Sequence, residues 1–519
     1  MKLFKKIAIG AALVTSVAVV ASTGCFGSPT TDLKGVTDTT IYVGNTAGTT
    51  GVLSTIGGPF NLGIEAAFYA YNQAGGYKGK DEAGNALTTG LKVELKHYDD
   101  GGDPATSKTM TEKLIHEDEV FAIVGNFAAA CVNVNLDVIK EAEVPMVYAA
   151  AGNDTLHNDK AETLADRGIF PVQPLNKTEG RSLILRAFAP ATAGGLAGTK
   201  VGVLTDTGNE ASISMIEGIE AEKATLPEAQ KNAVVIQEVN GSDYGAAVNA
   251  LKAANCDVVI ITSTGGNYLS ALKAIGAAEY KVKVLTSYNN ASAAPLNTNK
   301  TNDNGTPDDP SDDVVTQVLS EEYTKVFENV SLYSQAWLDL TSSTEFYKNS
   351  EHALYDIYYA TYLALYQLPT EYGGLGMDEA TATATLNTYG IPGFKNEYWT
   401  VAEDIYDYCI AQGKDAGTAY AMSYDAYALA GYIAGDLFIQ GLDALEESGK
   451  ALTRENYVDV MESADRKIIT ANDISFANGL RQGVDSFALT QIYVANGAAT
   501  SATIHTLTSL DAYRELIKG

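Results

Sequence analysis

The sequence predicts an α/β protein of two lobes, each built on a parallel sheet. Three observations carry that expectation. Short apolar strands alternate with helical patterns from Ile41 to Gly152, the same alternation resumes from about Glu179 to Ser287, and a proline-bracketed crossover, Phe170-Pro-Val-Gln-Pro174, separates them. At 519 residues the chain has material for two or three domains.

The first lobe opens on the apolar strand Thr40-Ile-Tyr-Val-Gly44, followed by the Gly-rich loop Asn45 to Gly51, whose glycines let backbone and hydroxyl groups approach a ligand closely. A helix is expected near Pro59, because Leu62, Ile64, Ala67, Phe68 and Tyr71 fall at helical spacing and Gly75-Gly76 closes it. Leu91 to Tyr98 alternates apolar and polar side chains as a half-buried strand does, and Asp99-Asp-Gly-Gly-Asp-Pro104 turns into the next helix. Phe121 to Gly125 and Val144 to Tyr148 supply two more strands. Ligands of parallel sheets lie beyond the carboxyl ends of the strands, so Asn45 to Gly51, Asn126 to Ala130 and Ala149 to Asp154 are expected along one rim. The second lobe reads as a helix from Glu179, strands at Lys200 to Thr205, Ala233 to Val239, Asp257 to Thr262 and Val282 to Ser287, and a helix through Ile213 to Ala221.

The amino terminus reads as a signal peptide. Lys2, Lys5 and Lys6 precede an apolar run from Ile7 to Ala21, and Ser22-Thr-Gly-Cys25 follows like a bacterial lipobox with Ser22 at the usual leucine position. Cleavage after residue 24 leaves Cys25 for lipidation, each buried methylene adding about 0.8 kcal/mol of membrane affinity, and residues 25–38 form a tether. That removes three lysines and no acid, so the formal charge of −29 becomes −32. Such acidity disfavours nucleic acid and anionic lipid headgroups and suits a soluble extracytoplasmic surface, lipid-anchored to the bacterial membrane.

No catalytic signature occurs: His-Glu-x-x-His, Gly-x-Ser-x-Gly, a Walker loop and Cys-x-x-Cys are all missing, and His97, His116, His157, His352 and His505 are scattered singly. The reading is therefore binding rather than bond-breaking, with no enzyme, cofactor or metal expected. Cys131, Cys256 and Cys409 form no close-spaced pair.

Several ordered blocks carry a family resemblance. Asn72-Gln-Ala-Gly-Gly-Tyr-Lys-Gly79, His97-Tyr-Asp-Asp-Gly-Gly-Asp-Pro104, Ala122-Ile-Val-Gly125, Val144-Pro-Met-Val-Tyr-Ala149, Val201-Gly-Val-Leu-Thr-Asp206, Asp257-Val-Val-Ile-Ile-Thr262, Ser423-Tyr-Asp-Ala-Tyr427 and Gly479-Leu-Arg-Gln-Gly483 resemble the leucine/isoleucine/valine-binding protein family. The resemblance implies a type I periplasmic binding protein fold, two Rossmann-like lobes joined by a hinge crossed three times, serving an ABC permease and its ATPase. It implies the segments 39–172 and 395–470 for lobe 1, and 173–291 and 471–519 for lobe 2 with a C-terminal tail. It also places Gly102 near a position where the family often has a bridging cysteine.

The departure from the family is 292–394, expected as a largely helical insertion. Asn297 to Asp313 reads as an acidic solvated loop rich in oxygen ligands but without the spacing and closing glutamate of an EF-hand. Tyr355, Tyr358, Tyr359, Tyr362 and Tyr366 form an aromatic stripe that reads as a packing face, with ligand or partner contact as the alternative.

Carried over position by position, the family's ligand clamp is altered. Ala129 stands where a hydroxyl is usual, leaving its N–H and those of Phe127 and Ala130. Ala150-Ala151-Gly152 replaces a loop that usually ends in threonine, with Asn153 and Asp154 beside it. Asn176 falls at an acid near the first hinge, Glu210 at a tyrosine, Tyr288 at an acid, and Ile56 near an aromatic residue; Thr264 lies in a stretch offering Thr262, Ser263 and Asn267. A buried ammonium or carboxylate without partners costs several kcal/mol, so the α-amino acid clamp is not carried over intact. Glu210 is either an ammonium partner or a surface residue; Phe127 and Tyr288 either face a flat, apolar ligand or pack in a lobe core. The expected function is delivery of a small polar or amphipathic solute, such as an amino acid or amide, to a permease. A ligand sensor and a structural lipoprotein with a degenerate pocket are the alternatives.

Overall fold

The computed structural model describes residues 33–302, 314–338, 377–378, 381, 397–423, 425–469 and 471–518. Cys25, the tyrosine stripe from 355 to 366 and most of the expected insertion lie outside them.

The first sheet is built from β1 (Thr40–Ala47), β2 (Lys92–Asp99), β3 (Ala122–Val124), β4 (Met146–Val147) and β5 (Ile169–Phe170), in the order β2-β1-β3-β4-β5 and parallel throughout. Its central strands are apolar on both faces, with Ile41, Val43, Ala122, Ile123 and Val124 fully buried, because helices cover both sides. These are α1 (Ser54–Gln73), α2 (Pro104–His116), α3 (Ala129–Glu141) and the short α4 (Leu164–Arg167). Helix α1 begins five residues before the expected Pro59, which sits inside it. A 3-10 turn over Gly51–Leu53 leads into the helix, so Pro59 falls in its second turn, where it has no N–H to donate to Thr55 O.

The second sheet contains β6 (Val201–Asp206), β7 (Val234–Val239), β8 (Val258–Ile261), β9 (Val282–Thr286), β12 (Val330–Ala336), β13 (Ser486–Ala495) and β14 (Ala498–Ser509). Its order is β14-β13-β12-β9-β8-β6-β7. The five strands from β12 to β7 are parallel, and β13 and β14 add an antiparallel edge. Around it lie α5 (Asn176–Phe188), α6 (Glu210–Lys223), α7 (Glu228–Lys231), α8 (Gly245–Ala253), α9 (Gly265–Ala277) and α10 (Thr324–Asn329).

Two described pieces of 292–338 differ from the helical insertion expected there. β10 (Asn297–Asn302) and β11 (Val314–Leu319) form an antiparallel hairpin. The all-polar Asn-Thr-Asn-Lys-Thr-Asn run carries no apolar alternation, so it reads as loop. Its pairing is fixed instead by docking: Leu319 N–H donates to Gly497 O (2.8 Å), and the Asn297 side chain bonds both backbone groups of Ala499 (2.8 and 2.7 Å). β12 is a central strand of the second sheet, with Leu332 and Ser334 buried between β9 and β13.

After β12 the chain packs again on the first sheet through α11 (Glu397–Ala411), α12 (Ala416–Ser423), α13 (Ala426–Ser448) and α14 (Arg454–Met461), and α15 (Leu510–Lys518) closes the second lobe. α1 and α13 touch backbone to backbone. A Cβ on Gly63 would lie 1.9 Å from Ala428 O, and one on Gly431 1.8 Å from Phe60 O. The chain thus passes between sheets three times, after β5, after β12 and before β13. Val484 N–H donates to Val172 O (2.8 Å), tying the first and third passages together. Beside them the buried Arg481 stacks over Phe170 and Phe476 and pairs with Glu462 (2.6 Å).

Candidate functional site: a rim at the carboxyl ends of both sheets

Because β1, β3 and β4 are adjacent and parallel, the loops that follow them share one edge, as their order requires. Under that edge lies a network of amides and hydroxyls. Asn45 Nδ2 donates to Asn61 Oδ1 (2.8 Å), Asn126 Nδ2 to Thr46 Oγ1 (2.9 Å), and Asn135 Nδ2 to Ser107 Oγ (2.9 Å). His97 joins it, its ring nitrogens 2.9 Å from Asn45 Oδ1 and 3.0 Å from Thr49 Oγ1, and burial lowers its pKa. The Thr50 hydroxyl (2.5 Å) leads the hydrogen bonds that hold Asp99 well below the carboxylate range and pin the first loop.

Two non-glycine residues at this edge have left-handed backbone, Ala128 (φ 71°) and Tyr148 (φ 55°). Conformations of that kind cost about 1–3 kcal/mol and gather at functional sites. Ala128 is the N-cap of α3 and offers no side-chain bond, so the first turn of α3, with exposed Ala129 and Ala130, opens onto the rim. Phe127 is half-buried, its ring 5.2 Å from Phe60. Phe60, Tyr148 and Trp337 continue an aromatic wall toward the hinge, with ring separations of 5.9 and 6.3 Å.

The remaining predicted positions of the first lobe are placed as follows. Ile56 is half-buried on α1. Ala150 donates its N–H to Asn126 O (2.8 Å), and Phe127 donates to Thr46 O (3.2 Å), so neither N–H is open to a ligand. Gly152 O accepts the N–H of buried Asn176 (2.8 Å), and a Cβ on Gly152 would lie 2.7 Å from Asn176 Oδ1. Asn153 is buried and bonds Ala129 O (2.7 Å) and Asn133 Oδ1 (2.8 Å). Asp154 reaches across to the second lobe, accepting the Ser214 hydroxyl from α6.

On the second lobe Glu210 is exposed at the start of α6, and Thr264 is the half-buried N-cap of α9 without a side-chain bond. Asp206, buried at the end of β6, accepts from Asn267 Nδ2 (2.6 Å) and Gly208 N–H (2.9 Å). Tyr288 follows β9 and packs against the first lobe's core. Its hydroxyl donates to Pro174 O (3.2 Å), so the two rims meet at the hinge.

Sequence reasoning missed two residues at that meeting point. Glu179 is fully buried and accepts Tyr288 N–H (2.7 Å) and the Ser287 hydroxyl (2.8 Å); burial pushes its carboxyl up to about 7. Gln173 lies 3.3 Å from Tyr288 Oη. Gln173 gives no signal because a glutamine between prolines reads as linker. In the sequence Glu179 reads only as a helix start.

A shallow depression of about 500 Å³ lined by Asp257, Lys281, Phe327 and Ser331 sits at the amino ends of β8, β9 and β12. That is the edge of the sheet where parallel architectures do not bind ligands. Among the described residues no three or more His, Cys, Asp or Glu side chains cluster as a metal site, Cys131, Cys256 and Cys409 are buried and free, and no helix is long and apolar enough to cross a membrane.

The chain belongs to the periplasmic binding protein family, whose family model matches residues 40–306. It is a family of extracytoplasmic solute-binding proteins rather than enzymes. Solved structures share the fold across nearly the whole chain. A fatty acid ABC transporter substrate-binding protein from Thermomonospora curvata is 14% identical with a TM-score of 0.56, covering 94% of this chain and 95% of its own. A branched chain amino acid ABC transporter from Thermus thermophilus with bound valine is 12% identical, with a TM-score of 0.55, and covers 92% and 99%. A leucine binding protein from Thermotoga maritima is 15% identical with a TM-score of 0.52, covering 91% and 99%. No curated protein matches the sequence.

Proposed function

We propose that the protein is the solute-binding lipoprotein of an ABC importer, held to the membrane through Cys25. It closes two lobes on a small polar or amphipathic solute and delivers it to a permease. The observation that carries this reading is the convergence of both carboxyl-edge rims on one hinge, through Gln173, Tyr288 and Pro174. Three chain passages there allow bending while each sheet stays rigid. The lipid anchor rests on the lipobox-like Ser22-Thr-Gly-Cys25, and the solute class on the half-buried rings of Phe127 and Tyr288 beside polar loops.

The test is a thermal-shift screen of the chain from Phe26 onward against amino acids, amides, small peptides, aromatic acids and polyamines. A solute at about a hundred times its dissociation constant adds about 2.7 kcal/mol of stability. A shift with one class supports the reading. Silence across the panel, with a correctly folded protein, favours a sensor of a solute outside the panel or a structural lipoprotein.

A further inference from the structure

Two N–H groups of the loop after β4 converge on a single place, and the chain's own hinge fills it. With the Gln173 side-chain amide assigned so that its oxygen rather than its NH2 faces these donors, that oxygen accepts from Ala151 N–H and Gly152 N–H, both at 3.1 Å. Ala151 shares its N–H with Ala149 O (2.8 Å), whereas the Gly152 N–H rests on Gln173. Successive N–H groups aimed at one point recognise an acceptor oxygen, a carboxylate above all. Here that acceptor is supplied internally by a half-buried side chain.

The charges along the rim agree. The segments 45–51, 126–130, 149–154, 206–210, 262–267 and 287–290 contain no lysine, arginine or histidine, and they carry Asp154, Asp206 and Glu210. A solute carboxylate would have to displace Gln173 and then sit among acids with no cation beside it in these segments, a burial that costs several kcal/mol. A neutral or cationic solute whose polar groups donate hydrogen bonds faces neither obstacle.

We propose that Gln173 is a specificity-determining residue of the cleft. Its amide occupies the place of a solute carboxylate at Ala151 and Gly152, so the protein accepts neutral or cationic solutes and rejects free carboxylates. This rests on the solute-binding reading and narrows its solute class.

Two readouts test it on wild type, Gln173→Ala and Gln173→Glu. Hydrogen exchange followed by mass spectrometry over the 149–153 segment needs no solute. Gln173→Ala is expected to exchange Gly152 about tenfold faster, the equivalent of about 1.4 kcal/mol, while Gln173→Glu, whose carboxylate accepts the same donors, stays protected. Titration with leucine and leucinamide, which share the ammonium and the side chain, then compares a carboxylate with a neutral amide of the same shape. Wild type is expected to ignore leucine at millimolar concentration, and Gln173→Ala to bind it at least about tenfold more tightly. Unchanged exchange in Gln173→Ala overturns the proposal, as does equal leucine affinity in wild type and Gln173→Ala. Because the exchange arm reads the contact without solute, its failure is separable from failure of the solute-binding reading, which the solute panel reports.

Discussion

The rim of the first sheet directs its polar groups inward, to Asn126, Asn153 and Gln173, and backs them with the rings of Phe60, Tyr148 and Trp337. The rim of the second sheet mixes hydroxyls and amides with the carboxylates of Asp206 and Glu210. The two rims divide the labour. The loops of the first rim are bonded to one another before a solute arrives and carry one acid, Asp154, whereas the second rim adds Asp206 and Glu210.

That comparison breaks most severely at the base of the second lobe, where α15 is clamped to α6. Arg514 makes a bidentate pair with Glu222 (2.8 and 2.7 Å), whose side chain is 2% exposed. Arg514→Met is expected to lose about 3–5 kcal/mol in denaturant unfolding, since it leaves a buried charge unpaired. Burial pushes the Glu222 carboxyl up, but the Arg514 guanidinium outweighs it and holds the pKa below normal. This pair therefore stabilises above the unfolded carboxyl pKa and is lost as pH falls through the folded value.

Glu179, between the rims, has the opposite sign. With its carboxyl raised to about 7, the folded state binds the extra proton, so its contribution falls as pH rises from about 4.5 through 7. The span corresponds to on the order of 3 kcal/mol. Glu179→Gln should flatten that part of the stability profile, measured by denaturant unfolding from pH 5 to 8; a profile that still falls as steeply would show that Glu179 is not its source.

A smaller effect sharpens the picture of a preassembled first rim. In Gly152→Ala the new methyl meets Asn176 Oδ1 at 2.7 Å and Pro174 O at 3.1 Å. A loss of about 1–3 kcal/mol is expected; a neutral result would mean that this loop yields. Smallest of all is Glu210→Gln, where the side chain is exposed and the melting temperature should not move, while affinity for a cationic solute weakens a few-fold.

Much of the fold was legible in the chain because its strands are short apolar runs set between polar segments, as in Val201 to Leu204 or Val258 to Ile261. The hairpin of β10 and β11 was not, since Asn297 to Asn302 is polar throughout and its pairing comes from distant Gly497 and Ala499. The site was legible as three loops on one edge, but not in its working parts. Alanine and glycine positions announced that family side chains were missing, yet nothing local in the sequence could say that Gln173, more than twenty residues away from Ala151, would occupy the space they face.

The most direct test of the account is the distance between the lobes. In the chain from Phe26 onward, which lacks Cys25, spin labels on Lys108→Cys in α2 and Glu220→Cys in α6, both exposed, report it without interference because Cys131, Cys256 and Cys409 are buried. With the solute that gives the largest thermal shift, the account predicts a distance distribution that narrows and shortens by several ångströms. A bound solute that leaves the distribution unmoved would contradict closure of two lobes around it.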